Sequence, residues 1–206
     1  MKFFYSPGSC ALATHLTLAE ADADYEAIRL DFAAGEQQGT EYLAINPKGR
    51  VPALVTDRGI LTETPAILLY IAQVHPHCAL APLDDPYALA QLQAFNSYLC
   101  STVHVAHAHG GRGHRWANNQ SSYDDMKAKV PETMSACFEL IENEYFKGPW
   151  VMGEQFTICD PYLLTLSSWL ERDGVDRGRF PKVDGHAKRM LERPKSRAAW
   201  DDHFAE

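Results

Sequence analysis

The sequence predicts two parts of different fold class: an α/β part over residues 1–77 and an all-helical part over residues 87–206, joined by a linker at 78–86. Strand-like and helix-like stretches alternate through the first part. Residues 75–86 contain three prolines and no apolar periodicity, which is typical of a connecting segment. Beyond them, apolar side chains recur at helical spacing. The 206 residues, 46% of them hydrophobic, suffice for one sizeable core or two small ones.

The first part begins with an apolar strand at Phe3 and Phe4, a Pro-Gly turn at 7–8 and a helix that opens near Ser9. Its remaining elements are predicted as strands at 25–30, 51–55 and 60–62, a helix-like loop between the first two of these, and a helix from Pro65 to about Val74.

The second part is predicted from three helical patterns. An apolar stripe runs from Leu89 to Val103, and a second helix is expected over 130–145. A third, buried helix opens at Thr157 with a capping box in which Asp160 replaces the usual Glu. We interpret this box as structural and assign it no chemistry.

Cys10 directly follows Ser9 at the predicted strand–turn–helix junction. Ser9 can cap the helix, which places Cys10 in its first turn beside unpaired N–H groups and the positive end of the helix dipole. That position favours the reactive thiolate and predicts a thiol pKa below the free value of about 8.5. Ala13 stands where a dithiol motif would have its second cysteine, so any disulfide partner must come from outside. The alternative is a thiol that only packs.

A second group of candidate residues surrounds the predicted third strand. A proline directly before a buried strand removes a hydrogen-bond donor, so we predict a cis Val51–Pro52 bond at a strand edge. An extended peptide could pair there with the Val51 backbone. Glu63 and Thr64 open the next helix and could hold an amino group and a carboxylate of a ligand, with Thr64 as the predicted cap. Alternatively, Glu63 is only a favourable first-turn charge.

Together these segments resemble the glutathione transferases, and among them the bacterial beta class. The matching segments are residues 5–10, 46–52, 61–63 with 66–67, and 156–162, so the resemblance covers nearly the whole chain. It implies a thioredoxin-like N-terminal domain followed by an all-helical C-terminal domain. It also implies glutathione as co-substrate, a catalytic Cys10, and glutathione binding by Tyr5, Ser9, Val51, Pro52, Glu63 and Thr64.

His104 lies on the first long helix of the second part. In the beta class a histidine at this place faces the glutathione pocket, which implies a catalytic role, because an imidazole can exchange a proton with a nearby sulfur. The alternatives are a packed histidine or a metal cluster of Cys100, His104, His107 and His109, with His114 a short loop later. We expect no metal, because no carboxylate is close in sequence to support the ligands.

The resemblance implies an enzyme that conjugates glutathione to an apolar electrophile, with thiol–disulfide exchange through Cys10 as a further reaction. The electrophile would lie against an apolar wall formed by Tyr98, His104, Trp116 and Trp169. A non-catalytic glutathione- or ligand-binding stress adaptor on the same fold stays open, because fold does not fix function.

The sequence departs from the family pattern at several places. Ala11 follows the cysteine where many beta-class chains have serine, Thr102 and Val105 replace an acidic and a basic residue, and the loop at 32–36 has no lysine. We therefore expect glutathione to be held differently or more weakly. Arg112 and Arg115 are candidates for binding an anionic substrate.

Composition restricts the partners and the location. The formal net charge is −8 with scattered basic residues, so we expect no nucleic acid and no anionic membrane as partner. Five cysteines without metal or framework spacing favour reduced thiols and a cytoplasmic location. The start of the chain predicts a strand and no signal peptide, and no apolar run reaches membrane-spanning length. The family implies a homodimer.

Overall fold

The N-terminal part is a four-stranded sheet with helices packed on it in the computed structural model, which describes residues 1–204. The strand order is β2-β1-β3-β4; β1 is parallel to β2 and antiparallel to β3, which pairs with β4. Phe3 of β1 is fully buried opposite Leu54 of β3, so the core lies under the centre of the sheet. The elements are β1 (Lys2–Tyr5), α1 (Ala11–Glu20), β2 (Glu26–Arg29), α2 (Thr40–Ile45), β3 (Ala53–Thr56), β4 (Gly59–Thr62) and α3 (Thr64–Val74).

The C-terminal part consists of helices only. Its first two helices are continuous through a π-helical turn at Leu99–Val103, and a similar turn at Ile141–Tyr145 extends the third. The helices are α4 (Pro86–Tyr98), α5 (His104–Arg112), α6 (Gln120–Leu140), α7 (Cys159–Ser167), α8 (Pro181–Glu192) and α9 (Pro194–Phe204). The predicted fold class, a thioredoxin-like domain followed by an all-helical one, is confirmed. None of the helices within residues 1–204 is long and apolar enough to cross a membrane.

Two helix starts differ from the prediction. Helix α6 begins ten residues earlier than expected, because its first turns are polar and carry no apolar stripe. Thr64 is the first residue of α3 and not its cap; the preceding Glu63 occupies the cap position at φ 73°, and its side chain makes no capping hydrogen bond.

Asp160 fixes the start of α7, as the capping box predicts. Its carboxylate accepts hydrogen bonds from the backbone N–H of Thr157 (2.7 Å) and Val151 (2.8 Å) and lies 3.1 Å from His186 Nε2. All nine residues of α7 are buried. The motif is therefore structural.

The two parts share one continuous core. Helix α9 packs on α1, where Arg193 and Ser196 hold the carboxylate of Glu20. The connecting segment is anchored as well: the Leu80 carbonyl accepts a hydrogen bond from Ile158 N at 2.9 Å. This packing fixes the edge of the sheet relative to helices α5 and α7.

Candidate functional site

A cleft of about 1170 Å³ opens between the two parts. Its N-terminal side is formed by the start of α1, the segment before β3 and the start of α3; its opposite side is formed by the π-helical turn, α5 and the segment after α7. Most of the predicted site residues line it, namely Ser9, Cys10, Val51, Pro52, Glu63, Thr64 and His104. Trp116 and Trp169 of the predicted apolar wall also line it, whereas Tyr98 does not: its hydroxyl faces the Cys137 carbonyl.

Cys10, and not the predicted Ser9, occupies the cap position immediately before the first residue of α1, half-buried in the cleft. Ser9 supports this start, because its Oγ accepts a hydrogen bond from Ala11 N (3.3 Å) and donates one to the Ser6 carbonyl (2.6 Å). The Cys10 thiol donates to the carbonyl oxygen of Val51, with Sγ 3.4 Å away. The thiol and the backbone next to Pro52 thus form one local unit.

The structure contradicts the predicted low pKa of Cys10. Burial raises the pKa of the thiol to about 11, although a hydrogen bond with Thr64 and the nearby charge of Arg112 act in the opposite direction. Desolvation of the anion therefore outweighs these opposing effects. At neutral pH Cys10 is a neutral thiol and a hydrogen-bond donor.

The Val51–Pro52 peptide bond is cis, as predicted. The segment leading to it is held by two hydrogen bonds to the Arg50 carbonyl, from Tyr42 Oη and Asn46 Nδ2, both at 2.6 Å. These bonds fix the strand edge that faces the cleft.

Glu63 and Thr64 lie on the same rim, at the start of α3. The Glu63 side chain is 62% exposed and forms an ion pair with Lys48, whose Nζ also donates to Thr62 Oγ1 at 2.7 Å. Thr64 is buried beside Cys10. An exposed ion pair contributes only about 0.2–1 kcal/mol, so a ligand can displace Lys48 at little cost.

His104 lies on the opposite side of the cleft, half-buried, with its ring centroid 5.1 Å from that of Trp169. Burial lowers the pKa of its imidazole to about 4, assisted by the positive charges of Arg112 and Arg115. His104 is therefore neutral at neutral pH. It can form hydrogen bonds, but it is a weak base.

Trp169 links the helical part to the loop that carries Cys10, a connection the sequence does not reveal. Its Nε1 donates a hydrogen bond to the Gly8 carbonyl at 3.1 Å. Its ring stacks on His107 at 4.2 Å, and His107 Nδ1 lies 2.7 Å from a carboxylate oxygen of Asp173. One aromatic side chain thus contacts both the loop before Cys10 and helix α5.

Two family models match the chain: "Glutathione S-transferase, N-terminal domain" over residues 1–73 and "Glutathione S-transferase, C-terminal domain" over residues 91–194. The chain belongs to the glutathione S-transferase family. Among its curated relatives is Glutathione S-transferase GstA of Escherichia coli O157:H7, 30% identical over 95% of this chain and 94% of that protein.

Solved structures agree with this assignment. A glutathione transferase homolog from Sulfitobacter with bound glutathione is 46% identical at a TM-score of 0.94, covering 98% of this chain and 97% of that one. A bacterial beta class transferase from Sphingomonas chungbukensis is 32% identical at a TM-score of 0.87, with both chains fully covered. The predicted resemblance to the beta class and the assignment as a transferase enzyme are confirmed.

The transferase has a strongly basic cleft that sequence analysis recognised only in part. Loop 32–36 contributes no cation, as its sequence indicates; the positive charges come from other elements. The cleft is lined by six basic residues and only two acidic ones, Glu63 and Asp173. The basic residues are Lys48, Arg50, Arg112, Arg115, Lys127 and Arg172. Sequence analysis named Arg112 and Arg115 as candidates for binding an anion; it did not name Lys48 and Arg50, for which the NPKGR segment at 46–50 is the signal.

Tyr5 does not line the cleft. Its ring packs against Phe3 (5.6 Å), His15 (5.4 Å) and His203 (4.8 Å) between the two parts of the molecule. This placement corrects the predicted glutathione-binding role of Tyr5, since a side chain on β1 that points into the domain interface cannot reach the cleft.

The histidines considered as metal ligands have other partners. His104 and His107 pack on Trp169, and His109 packs on Trp116 with ring centroids 4.4 Å apart. Within residues 1–204 no group of three histidine, cysteine or acidic side chains has a geometry that could hold a metal ion.

Proposed function

We propose that this transferase binds glutathione on the N-terminal side of the cleft and joins its sulfur to an electrophile on the helical side. One observation carries the proposal: the Cys10 thiol and the Val51 carbonyl lie 3.4 Å apart at the start of α1, facing a cleft bounded by both domains. A strand edge beside a thiol suits a cysteine-containing peptide.

The cysteinyl and γ-glutamyl units of glutathione each have a matching group in this arrangement. The cysteinyl unit pairs with the Val51 backbone, next to Pro52. The γ-glutamyl ammonium binds Glu63 in place of Lys48, and the adjoining carboxylate binds at the N-terminus of α3, where Thr64 begins the helix. Ser9 acts indirectly, because its hydroxyl holds the loop that presents Cys10.

The conjugation step uses the sulfur of glutathione as the nucleophile. Its S–H proton goes to water in the open cleft. The thiolate is stabilised by the N-terminus of α1 and by the single Cys10 S–H, which turns to it from the Val51 carbonyl when the cysteinyl N–H of glutathione binds that carbonyl. The thiolate forms a carbon–sulfur bond, while the bond from that carbon to the leaving group breaks and the leaving group departs with the electron pair. The neutral His104 contributes a hydrogen-bonding surface above the sulfur.

Conjugation is favoured over thiol–disulfide exchange through Cys10 because the exchange needs a thiolate at Cys10. Burial holds the pKa of this thiol at about 11, so the thiolate is scarce at neutral pH. A non-catalytic adaptor would bind glutathione without consuming it.

A turnover assay tests the proposal. Purified protein is mixed with glutathione and a neutral aryl halide, and the conjugate is quantified against the uncatalysed reaction. We expect saturable turnover that falls when Glu63 is replaced by Gln. Binding of glutathione without turnover of any electrophile would identify an adaptor instead.

Three further expectations belong to this proposal. The division into domains at 1–77 and 87–206 stays a prediction that limited proteolysis near 78–86 can test. The homodimer stays a prediction that light scattering can test. Free thiols at all five cysteines support a reducing, cytoplasmic location.

A further inference from the structure

We propose that the electrophile of this transferase carries a carboxylate, and that Arg112 and Arg115, with Arg50 at the rim, hold it. This inference rests on the proposed conjugation function and specifies its second substrate.

The first argument is the charge balance of the cleft. Both of its carboxylates are already engaged, Glu63 with Lys48 and Asp173 with His107. Across residues 1–204, by contrast, no carboxylate lies within ion-pair distance of the three arginines. The chain as a whole has 27 acidic and 19 basic side chains, so a surplus of cations at one place is not a consequence of composition.

The second argument is that Arg50, Arg112 and Arg115 line the same cleft. Arg112 and Arg50 both lower the pKa of Arg115, in addition to the effect of burial, and all three lower that of His104. Like charges brought together in a cleft repel one another and concentrate anions there. A bound anion relieves this repulsion.

The third argument is that the proposed carboxylate site lies on a different side of the cleft from the proposed glutathione site. The groups proposed to bind glutathione belong to the N-terminal domain, whereas two of the three arginines, Arg112 and Arg115, lie at the end of α5 and just after it. Only Arg50, the residue before Val51, lies on the glutathione side. They stand beside Trp116, which is 46% exposed and offers a flat apolar face. Guanidinium groups bind carboxylates in a bidentate manner. An unsaturated or aromatic electrophile with a carboxylate therefore fits both the arginines and the flat face of Trp116.

The probe reaction is the attack of glutathione on 4-chloro-3-nitrobenzoate. The sulfur bonds to the carbon that bears chlorine, the carbon–chlorine bond breaks, chloride leaves with the electron pair, and the thiol proton passes to water. The product is a glutathione conjugate with a ring carboxylate, and the corresponding benzamide gives a conjugate of the same shape with an uncharged ring substituent.

The test compares the dissociation constants of these two conjugates by calorimetry, a readout that does not depend on catalysis. We expect the carboxylate conjugate to bind about tenfold or more tightly than the amide. Arg112→Gln and Arg115→Gln should each remove most of this preference, and added salt should reduce it. Arg58→Gln, the same charge change in the exposed β3–β4 turn outside the cleft, should leave it intact.

Equal affinity for the two conjugates, together with turnover of the neutral substrate, would overturn the inference and leave the proposed function standing. An equally large loss of affinity for glutathione itself in the Arg112 and Arg115 variants would also overturn it, because these residues would then hold glutathione. If neither glutathione nor any conjugate binds, both the inference and the proposed function fail.

Discussion

Trp169 donates a hydrogen bond from its indole nitrogen to the carbonyl oxygen of Gly8, 3.1 Å away. Gly8 lies two residues before Cys10, at φ 66°, in the turn between β1 and α1. The helical domain therefore holds directly the loop that positions the thiol. The position of the thiol depends on the packing of both domains.

Replacing Trp169 by Phe keeps most of the ring and removes this donor. We expect a loss of about 1 kcal/mol in the free energy of unfolding, the usual contribution of one hydrogen bond, and a higher KM for glutathione because the loop is less fixed. Urea titration and steady-state kinetics measure the two effects. Trp116→Phe is the control for stability; an equal loss in both variants would argue against the bond to Gly8.

Replacing Glu63 by Gln should weaken glutathione binding about tenfold or more. The variant loses a charge-assisted hydrogen bond to the γ-glutamyl ammonium, typically about 1.5–3 kcal/mol, while the exposed ion pair with Lys48 contributes little to folding. Calorimetry gives the affinity and thermal melting gives the stability. Unchanged affinity in a folded Glu63→Gln protein would show that Glu63 does not bind glutathione.

Alkylation of Cys10 should be slower than that of a free thiol at neutral pH. The raised thiol pKa, about 11, leaves little thiolate to react. Iodoacetamide labelling followed by peptide mass spectrometry over a range of pH measures the rate, with free cysteine as reference. Rapid labelling at pH 7 would contradict the raised pKa and would support the low thiol pKa that the sequence predicts, which makes Cys10 a nucleophile.

Acid should destabilise the docking of α9 before most carboxylates titrate. Burial lowers the pKa of His203 to about 3 and also lowers that of His15, whose ring centroid is 5.4 Å away. The unfolded chain therefore binds these protons first. Stability is full above the unfolded pKa of about 6.5 and falls below it, by at most about 1.4 kcal/mol per pH unit and histidine.

Chemical denaturation between pH 7 and 4.5 measures this loss. His203→Gln, which does not titrate, should give a flatter profile than the natural chain. Neither ring nitrogen of His203 has a hydrogen-bond partner within residues 1–204, so the histidine gains nothing from protonation there. Identical profiles for the two proteins would assign the acid sensitivity to other groups.

The sequence predicts those parts of the site that depend on local signals. Cys10 at a helix start, Pro52 before a strand and Glu63 before a helix are each visible in a few neighbouring residues. Their convergence follows from the order of elements in the fold. The four strands are also signalled by neighbouring residues, and all four lie within about two residues of their predicted positions.

What the sequence does not predict depends on burial and on distant contacts. The helix start at Cys10 is visible in the sequence, but the desolvation that raises its pKa is not. Trp169 reaches Gly8 across 161 residues, and no local pattern signals this bond. Helices α8 and α9 are not among the three predicted helical patterns; charged residues fill five of the twelve positions of α8 and four of the eleven positions of α9. Tyr5 is misplaced because a strand residue can face either side of its sheet.

The central claim is that a neutral Cys10 thiol stabilises the thiolate of bound glutathione. Ultraviolet difference absorbance of the thiolate, recorded against pH with glutathione bound, tests it most directly. We predict that bound glutathione ionises below the free thiol value of about 8.5, that Cys10→Ala raises this pKa toward the free value, and that Cys10→Ser restores part of the shift. An unshifted glutathione thiol in the natural protein, or a thiolate signal at neutral pH from Cys10 without glutathione, would contradict the account.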